Sequence, residues 1–348
     1  MTLSNAVDST SLPAPAISRI GRFYVTRELG RGSVGTVYLG HDSVIDRDVA
    51  IKIFNTRPTL LEKKQQEQQF INEARAAGRL SHPNIVTIYD ASSEGEMTYI
   101  AMEYLQGREL DKLLAKGHRF SFDDIGSIAR KIANALDHAH KQGVIHRDIK
   151  PANIFMAGDR QPKIVDFGIA RVPQRVSDQP AHADKPYTLF HNNLLGTPNY
   201  MSPEQALGRD VDERTDIYSL GAVMYEMLVG RKPFHSSRTD QLLQQIAYKA
   251  PPAPHEINPE VPMVLSQIVV KAMSKRPEKR YQTAADMALD LKRYVSRERR
   301  ARQRRERSGT AENTAAPGHT GSRFGPLFWI LCALLSGAIA LGYLLRLL

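Results

Sequence analysis

The chain of 348 residues is 42% hydrophobic and 24% charged, which is typical of a globular protein long enough for two lobes or domains and excludes disorder as its main state. The formal net charge of +10 is uneven, because the run RERRARQRRER (297–307) contributes seven arginines and only two glutamates. Since no aromatic residues are interleaved in this run, it favours lipid headgroups or solvent, and not nucleic acid, as its surroundings.

The N-terminal segment, 1–21, is predicted to be a disordered leader. It has neither a cationic start nor a continuous apolar run, so it does not have the pattern of a secretory signal. Cys332 is the single cysteine, which excludes an intrachain disulfide and indicates a cytosolic folded part.

Residues 22–105 are predicted to form a small β-rich lobe. Five runs rich in β-branched and aromatic residues read as strands: FYVTREL, TVYLGHD, DVAIKIF, NIVTIYD and MTYIAMEYL. Between the third and fourth runs, 62–80 has helical periodicity, with Phe70, Ile71 and Ala74 on an apolar face. The expected lobe therefore has five strands and one helix.

Residues 106–296 change to a helical pattern and are predicted to form a larger lobe. The stretch ending at Gly143 places Ile125, Ile128, Ile132 and Leu136 at helical spacing. The run TDIYSLGAVMYEMLVG is apolar nearly all round, as expected of a central buried helix.

The C-terminal segment, 324–345, contains no charge and is long enough to cross a bilayer as a helix. A buried core helix is the alternative, but only the short tail 346–348 follows. The linker 297–323 begins with the arginine-rich run and becomes small and polar after residue 308, which favours a flexible tether. By the positive-inside rule, the folded part is expected in the cytoplasm, on the inner (plasma) membrane, with one membrane pass.

Small residues recur within this predicted span. Ala333 and Gly337 are four residues apart, as are Ala338 and Gly342, a spacing that permits close pairing of two helices. Both a homodimer and ordinary use of small residues in a membrane span stay open.

A glycine-rich stretch, LGRGSVGTVYLG, places Gly30, Gly32 and Gly35 in a GxGxxG pattern. The pattern alone is weak, because dinucleotide-binding crossovers share it. Here a strand follows the glycines where such a crossover has a helix, so we predict a hairpin whose backbone lies over phosphates. Lys52, in VAIK, is surrounded by apolar residues and needs an anionic partner. Glu73 on the predicted helix is the expected partner, with a plain surface glutamate as the alternative.

The stretch HRDIKPAN, followed by VDFG, contains the groups that phosphoryl transfer requires. Asp148 is expected to orient an attacking hydroxyl and accept its proton. Asn153 and Asp166 are expected to hold Mg²⁺, with Mn²⁺ as an alternative, and Lys150 to neutralise the γ-phosphate.

These motifs, in this order and together with GTPNYMSPE, resemble the eukaryotic-like protein kinases, in particular the bacterial serine/threonine branch. The resemblance implies an α+β bilobal protein kinase fold, with ATP between the lobes and, in this chain, one C-terminal transmembrane helix. It implies that Met102 is the gatekeeper, that the backbone of Glu103 and Leu105 meets adenine, and that Ser33 belongs to the glycine loop. It also implies an apolar sandwich around the adenine ring, although ordinary core packing is an equal alternative for each of its residues. These residues are Leu29, Val37, Ala50 and Phe155.

The resemblance further implies serine/threonine specificity, because Lys150 and Thr197 match that branch and Thr197 would link Asp148 to Lys150. Ser202 departs from the alanine common at its position, and no loss is expected from this. Two other features match structural groups of the family: a Glu204–Arg280 ion pair and Asp216, which would hold the catalytic loop.

Regulation by phosphorylation is a further implication of the resemblance. Arg147 directly precedes the expected base, and the matching arginine usually pairs with a phosphate on the activation loop. Among the hydroxyls of that loop we expect autophosphorylation at Thr188, with Ser177 as the second choice.

The sequence thus predicts a non-specific serine/threonine protein kinase that uses Mg-ATP and acts on protein substrates. A nucleotide-binding pseudokinase scaffold is the main alternative, but none of Lys52, Asp148 and Asp166 is lost. A small-molecule phosphotransferase is less favoured, since GTPNYMSPE and the apolar helix after it resemble a peptide-binding platform.

Overall fold

A computed structural model of the chain describes residues 18–32, 35–54, 60–94, 97–158, 161–167 and 198–314. The chain divides into two compact units, Met1–Glu298 and Arg299–Leu348. The first unit contains both predicted lobes. In the second unit, residues 299–314 are helical.

The small lobe is built on a curled antiparallel sheet with the strand order β1-β2-β3-β4-β6-β5. The strands are β1 (Arg19–Ile20), β2 (Phe23–Arg31), β3 (Gly35–Asp42), β4 (Arg47–Phe54), β5 (Ile88–Glu94) and β6 (Met97–Glu103). One helix, α1 (Leu60–Gly78), connects β4 to β5. The helix and four of the strands match the prediction, while β5 begins four residues later than the predicted run NIVTIYD (84–90).

The sixth strand corrects the predicted lobe and the predicted leader. Arg19 and Ile20 pair with Tyr24 and Phe23, and the Ile20 side chain is buried. A disordered leader reaching residue 21 is therefore wrong at its end, because burying Ile20 stabilises the first strand pair. The rest of the predicted leader, 1–17, lies outside the described residues.

The alternation of side chains along β4 decides which groups face the large lobe. Val49 and Ile51 are fully buried on one face, in a cluster with Phe23 of β2. Successive residues of a strand point to opposite faces, so Ala50 and Lys52 lie on the other face. Ala50 there joins the main core, which continues into the large lobe.

The large lobe is mainly helical. Its helices are α2 (Leu110–Ala115), α3 (Phe122–His140), α4 (Pro203–Ala206), α5 (Arg214–Val229), α6 (Thr239–Tyr248), α7 (Pro254–Ile257), α8 (Met263–Ala272) and α9 (Ala284–Thr314). The predicted apolar face of α3 is confirmed, since all four of its named residues are at most 1% exposed. α5 is buried almost all round, also as predicted.

A small antiparallel sheet lies in the large lobe and holds the segments that carry the predicted chemistry. Its strands are β7 (Arg108–Glu109), β8 (Ile154–Met156) and β9 (Pro162–Ile164), in that order. The segment after α1 also bonds to β9: Ile164 N–H donates to the Asn84 carbonyl at 2.8 Å, and Val86 N–H donates to the Ile164 carbonyl at 2.9 Å. These bonds fix the backbone two residues before Asp166.

The C-terminal part differs from the prediction in one respect. α9 continues through the arginine-rich run to Thr314, so 308–314 is helical where a flexible tether was expected. In a helix the backbone N–H and C=O groups bond to each other, so even a segment of small polar residues can be helical. The composition of the segment does not reveal this. The predicted membrane span, 324–345, and its small-residue pairs lie outside the described residues. Within the described part of the chain, no helix combines the length and apolar character needed to cross a membrane.

Candidate active site between the two lobes

The glycine-rich stretch forms the expected hairpin between β2 and β3. The Gly32 N–H donates to the Gly35 carbonyl at 2.9 Å, which closes the turn. A Cβ atom on Gly35 would lie 1.9 Å from the Ile53 carbonyl oxygen of β4, so only glycine fits there. The strand that continues from Gly35 excludes the helix that a dinucleotide fingerprint requires. Ser33 lies outside the described residues.

Lys52 meets a carboxylate of the large lobe. Its Nζ donates to Asp166 Oδ2 at 2.6 Å, and its side chain is only 12% exposed. An ammonium so shielded from water requires an anion beside it. This carboxylate differs from the predicted partner, Glu73, which is half-buried on α1 and has interactions of its own. The Lys52–Glu73 pair stays a prediction.

The predicted catalytic loop brings its polar side chains onto a single carboxylate. Lys150 Nζ donates to Asp148 Oδ2 at 2.8 Å. Asn153 Nδ2 donates to the same oxygen at 3.1 Å and to the Asp148 carbonyl at 2.8 Å. The carboxylate is about three-quarters shielded from solvent. A base oriented by two donors can steer a hydroxyl, and the ammonium beside it supplies positive charge where a phosphoryl group would move.

Asp216, near the start of α5, holds the backbone of the predicted catalytic loop. Its buried carboxylate accepts from the His140 ring at 2.8 Å and from the backbone N–H groups of His146 and Arg147, both at 2.8 Å. Three donors stabilise a carboxylate that has no contact with water. The predicted structural role of Asp216 is thereby confirmed, and His140 is a partner that the sequence reading missed.

His146 is a structural residue with a defined tautomer. It is fully buried, and its Nδ1 accepts from the Asp148 N–H at 3.2 Å. Its Nε2 lies 3.0 Å from the Val165 carbonyl, and this contact requires a proton on Nε2. The ring is therefore neutral, and it joins Asp148 to Val165, the residue that precedes Asp166.

The donor set suits a hard divalent cation. Asn153 uses its Nδ2 on Asp148, so its Oδ1 is the atom that would ligate a metal. The Val165 N–H donates to the Asn153 carbonyl at 3.0 Å, so Asp166 begins beside Asn153. Among the described residues no group of three or more His, Cys, Asp or Glu forms a cage. Mg²⁺ usually takes one or two protein oxygens and fills its other positions with phosphates and water, so these two residues fit it.

The predicted adenine-binding residues lie along the junction of the lobes. Ala50 and Met102 are buried opposite each other on β4 and β6, while Leu29, Val37 and Leu105 are partly buried against the same core. Phe155 lies half-buried on β8. Glu103, at the end of β6, is joined to β9 because Lys163 Nζ donates to both of its carboxylate oxygens, at 2.7 and 2.8 Å.

The segment after the predicted activation loop is fixed by the Glu204–Arg280 ion pair, as predicted. The contact is bidentate, with both N–O distances 2.7 Å, and the Arg280 side chain is fully buried. Burial by itself would raise the pKa of Glu204, but the hydrogen bonds and charge of Arg280 and the bond from Thr215 outweigh burial and lower it.

A further residue near the site was missed by the sequence reading, and three more predicted site residues lie outside the described part of the chain. Gln205, which the sequence reading did not select, contacts the catalytic loop; the S-x-x-Q spacing from Ser202 was a helix-capping signal that could have found it. Thr197, Ser177 and Thr188 lie outside the described residues.

Comparisons with known proteins all find protein kinases. Residues 23–289 match the family model described as a protein kinase domain. A probable serine/threonine-protein kinase of Clostridium acetobutylicum is 37% identical over 270 residues, which is 78% of this chain and 39% of the relative. The serine/threonine-protein kinase PrkC of Bacillus subtilis is 37% identical over 273 residues, covering 78% and 40%. PknB of Mycobacterium leprae is 38% identical over 272 residues, covering 77% and 42%.

The chain thus spans about two fifths of the length of these curated relatives. Among solved structures, the kinase domain of PknI from Mycobacterium tuberculosis is similar with a TM-score of 0.61 and 25% identity, over 80% of this chain and 99% of that one.

Proposed function

The chain belongs to the protein kinase domain family, and from this premise we propose that it is a serine/threonine protein kinase that transfers the γ-phosphate of ATP to protein hydroxyls. The bilobal fold expected from the resemblance is confirmed. The named serine/threonine kinases among its relatives support the substrate class.

The observation that carries the proposal is the contact set around Asp148. Lys150 and Asn153 both donate to its Oδ2, so the carboxylate has a defined orientation and a cation beside it. Asp148 would hold the hydroxyl of the protein substrate and accept its proton, and Lys150 would balance the charge that gathers on the transferred group. Phosphoryl transfer needs little covalent work from the protein, so positioning and electrostatics suffice.

Nucleotide binding would involve both lobes. The Lys52 ammonium of the small lobe contacts the Asp166 carboxylate of the large lobe, with Nζ and Oδ2 2.6 Å apart. We infer that Lys52 holds the nucleotide phosphates, while Asp166 and Asn153 supply the oxygens for the metal. Bound Mg²⁺ would neutralise charge on the phosphates during transfer.

A direct assay tests this proposal against the two alternatives. The purified chain is incubated with Mg²⁺ and γ-labelled ATP, with a generic protein substrate, and with Asp148→Asn as the control. We expect label on serine and threonine of the substrate and on the chain itself, with mass spectrometry finding phosphate at Thr188. Nucleotide binding without any labelled polypeptide would favour a pseudokinase scaffold and contradict the proposal. Label that enters only small molecules would favour a small-molecule phosphotransferase and would also contradict the proposal.

We also propose that the chain is anchored in the inner membrane through 324–345, with the kinase domain in the cytoplasm. The uncharged 22-residue stretch and the arginine-rich run before it support this arrangement.

Deletion of 324–348 is expected to move the protein from the membrane pellet to the soluble fraction, because about 20 apolar residues make insertion effectively irreversible. Fractionation of cells expressing either form measures the effect. A variant with the arginines of 297–307 replaced by glutamine is the control; it should stay in the pellet. An intact chain found in the soluble fraction would contradict the anchor.

A further inference from the structure

Gln205 uses both ends of its side-chain amide. It is the third residue of α4, a short helix whose first turn is capped by Ser202. The Ser202 hydroxyl accepts from the Gln205 N–H at 3.3 Å, and Gln205 Oε1 accepts from the Ser202 N–H at 3.0 Å. The other end, Nε2, donates to the carbonyl of Arg147 at 2.8 Å, although the two residues are 58 positions apart. One end therefore serves the helix, and the other serves the catalytic loop.

Arg147 occupies a backbone conformation that needs support. Its φ angle is +63°, in the left-handed region that L side chains rarely adopt. Two contacts hold its peptide groups: its N–H donates to Asp216 Oδ1, and its carbonyl accepts from Gln205. Asp216 holds the peptide that enters Arg147, and Gln205 holds the peptide that leaves it.

The peptide that leaves Arg147 is the one that delivers the base. Its carbonyl and the Asp148 N–H belong to one planar unit. Fixing that carbonyl therefore fixes the direction in which the chain enters Asp148. The N–H of the same unit donates to His146 Nδ1 at 3.2 Å, so Gln205 and His146 hold it from its two ends.

We propose that Gln205 is a positioning residue for phosphoryl transfer, acting through the Arg147–Asp148 peptide. This rests on the proposed kinase function. α4 begins within GTPNYMSPE, the motif that resembles a peptide-binding platform, so the contact also joins that segment to the proposed base. The position of Asp148 therefore depends on the position of α4, because Gln205 connects the two.

Substitutions at Gln205 and at Ser202 separate the loop contact from the helix cap. Gln205→Glu retains the cap, because glutamate accepts from the Ser202 N–H equally well. It replaces the donor that faces the Arg147 carbonyl with a carboxylate oxygen, so attraction becomes repulsion. Gln205→Met is neutral and removes both contacts. Ser202→Ala removes the hydroxyl cap and leaves the Nε2 contact. Gln267→Glu, at an exposed position on α8, makes the same charge change away from the site.

The experiment measures kcat and KM for a protein substrate, nucleotide affinity and thermal unfolding, all with the full chain. We expect Gln205→Glu to lower kcat about ten- to a hundredfold, since the half-buried Arg147 carbonyl loses its donor and faces a carboxylate. Nucleotide affinity should be unchanged, because Lys52 and Asp166 are untouched. Gln205→Met should lower kcat in the same direction. Gln267→Glu should have the kinetics of wild type, and Ser202→Ala should affect thermal unfolding more than kcat.

The possible results are distinguishable. An active wild type with undiminished kcat in a folded Gln205→Glu or Gln205→Met variant would overturn the inference and leave the kinase function intact. Equal losses of kcat in Ser202→Ala and Gln205→Met, with the wild-type kcat in Gln205→Glu, would assign the effect to the cap and also overturn the inference. A wild type that transfers no phosphate would overturn the kinase function, and this inference with it.

Discussion

Asp148→Asn is expected to lower the rate of phosphoryl transfer by about 10²- to 10⁴-fold, the range that a positioned general base contributes. The asparagine side chain has the same shape, and its oxygen can still accept from Lys150 and Asn153. Its amide nitrogen cannot accept a proton from the attacking hydroxyl. The substitution therefore removes the proposed chemistry while it keeps the contacts of the loop.

Single-turnover rates with a saturating protein substrate measure this effect. Nucleotide affinity, followed by fluorescence titration, is expected to match wild type because Asp148 is not among the proposed nucleotide ligands. Lys150→Met is a useful companion, since it removes the cation and retains the base. A transfer rate within a factor of two of wild type in Asp148→Asn would contradict the role of Asp148 as the base.

Glu204→Gln is expected to lower the free energy of unfolding by about 3–5 kcal/mol, because it leaves the buried Arg280 guanidinium without its counter-charge. Arg280 uses its donors on Glu204 and on three backbone carbonyls, those of Ser274, Arg214 and Lys275. Urea unfolding of wild type and variant measures the loss.

Two comparisons sharpen this result. Glu278→Gln breaks the exposed Arg276–Glu278 pair and should leave the free energy of unfolding nearly unchanged. The double variant Glu204→Gln with Arg280→Met should lose less than the sum of the single variants, because no buried charge is left unpaired. A loss from Glu204→Gln no larger than that from Glu278→Gln would contradict the importance of the buried pair.

The same ion pair predicts the direction of a pH effect. The folded-state pKa of Glu204 lies below its usual value, so its contribution is present above the unfolded-state pKa. That contribution is lost as the pH falls through the folded-state pKa. The difference in stability between wild type and Glu204→Gln should therefore shrink in acid.

Local patterns predicted most of the scaffold of the site. The spacing of apolar residues found α3 and α5, and the alternation in VAIK placed Lys52 beside apolar neighbours, as the structure has it. These signals are readable because helix and strand periods depend on residues a few positions apart. The first strand was missed because two residues are too short for any period.

Contacts between distant residues were less accessible. The sequence reading chose Glu73 as the partner of Lys52, and that pair stays a prediction. The structure adds a contact that the reading did not anticipate, between Lys52 and Asp166, 114 positions along the chain. Only the packing of the small lobe on the large one brings this ammonium and this carboxylate together.

The sequence by itself determined the chemical groups of this protein: the glycines of a hairpin, a shielded lysine, and the carboxylates and amide that we propose as the base and the metal ligands. The tertiary structure decided which atoms of those groups meet. The neutral form of His146, the three donors on Asp216 and the left-handed turn at Arg147 follow from contacts across elements. Hydrogen bonds act over about 3 Å, and such distances between remote residues exist only after the core has packed.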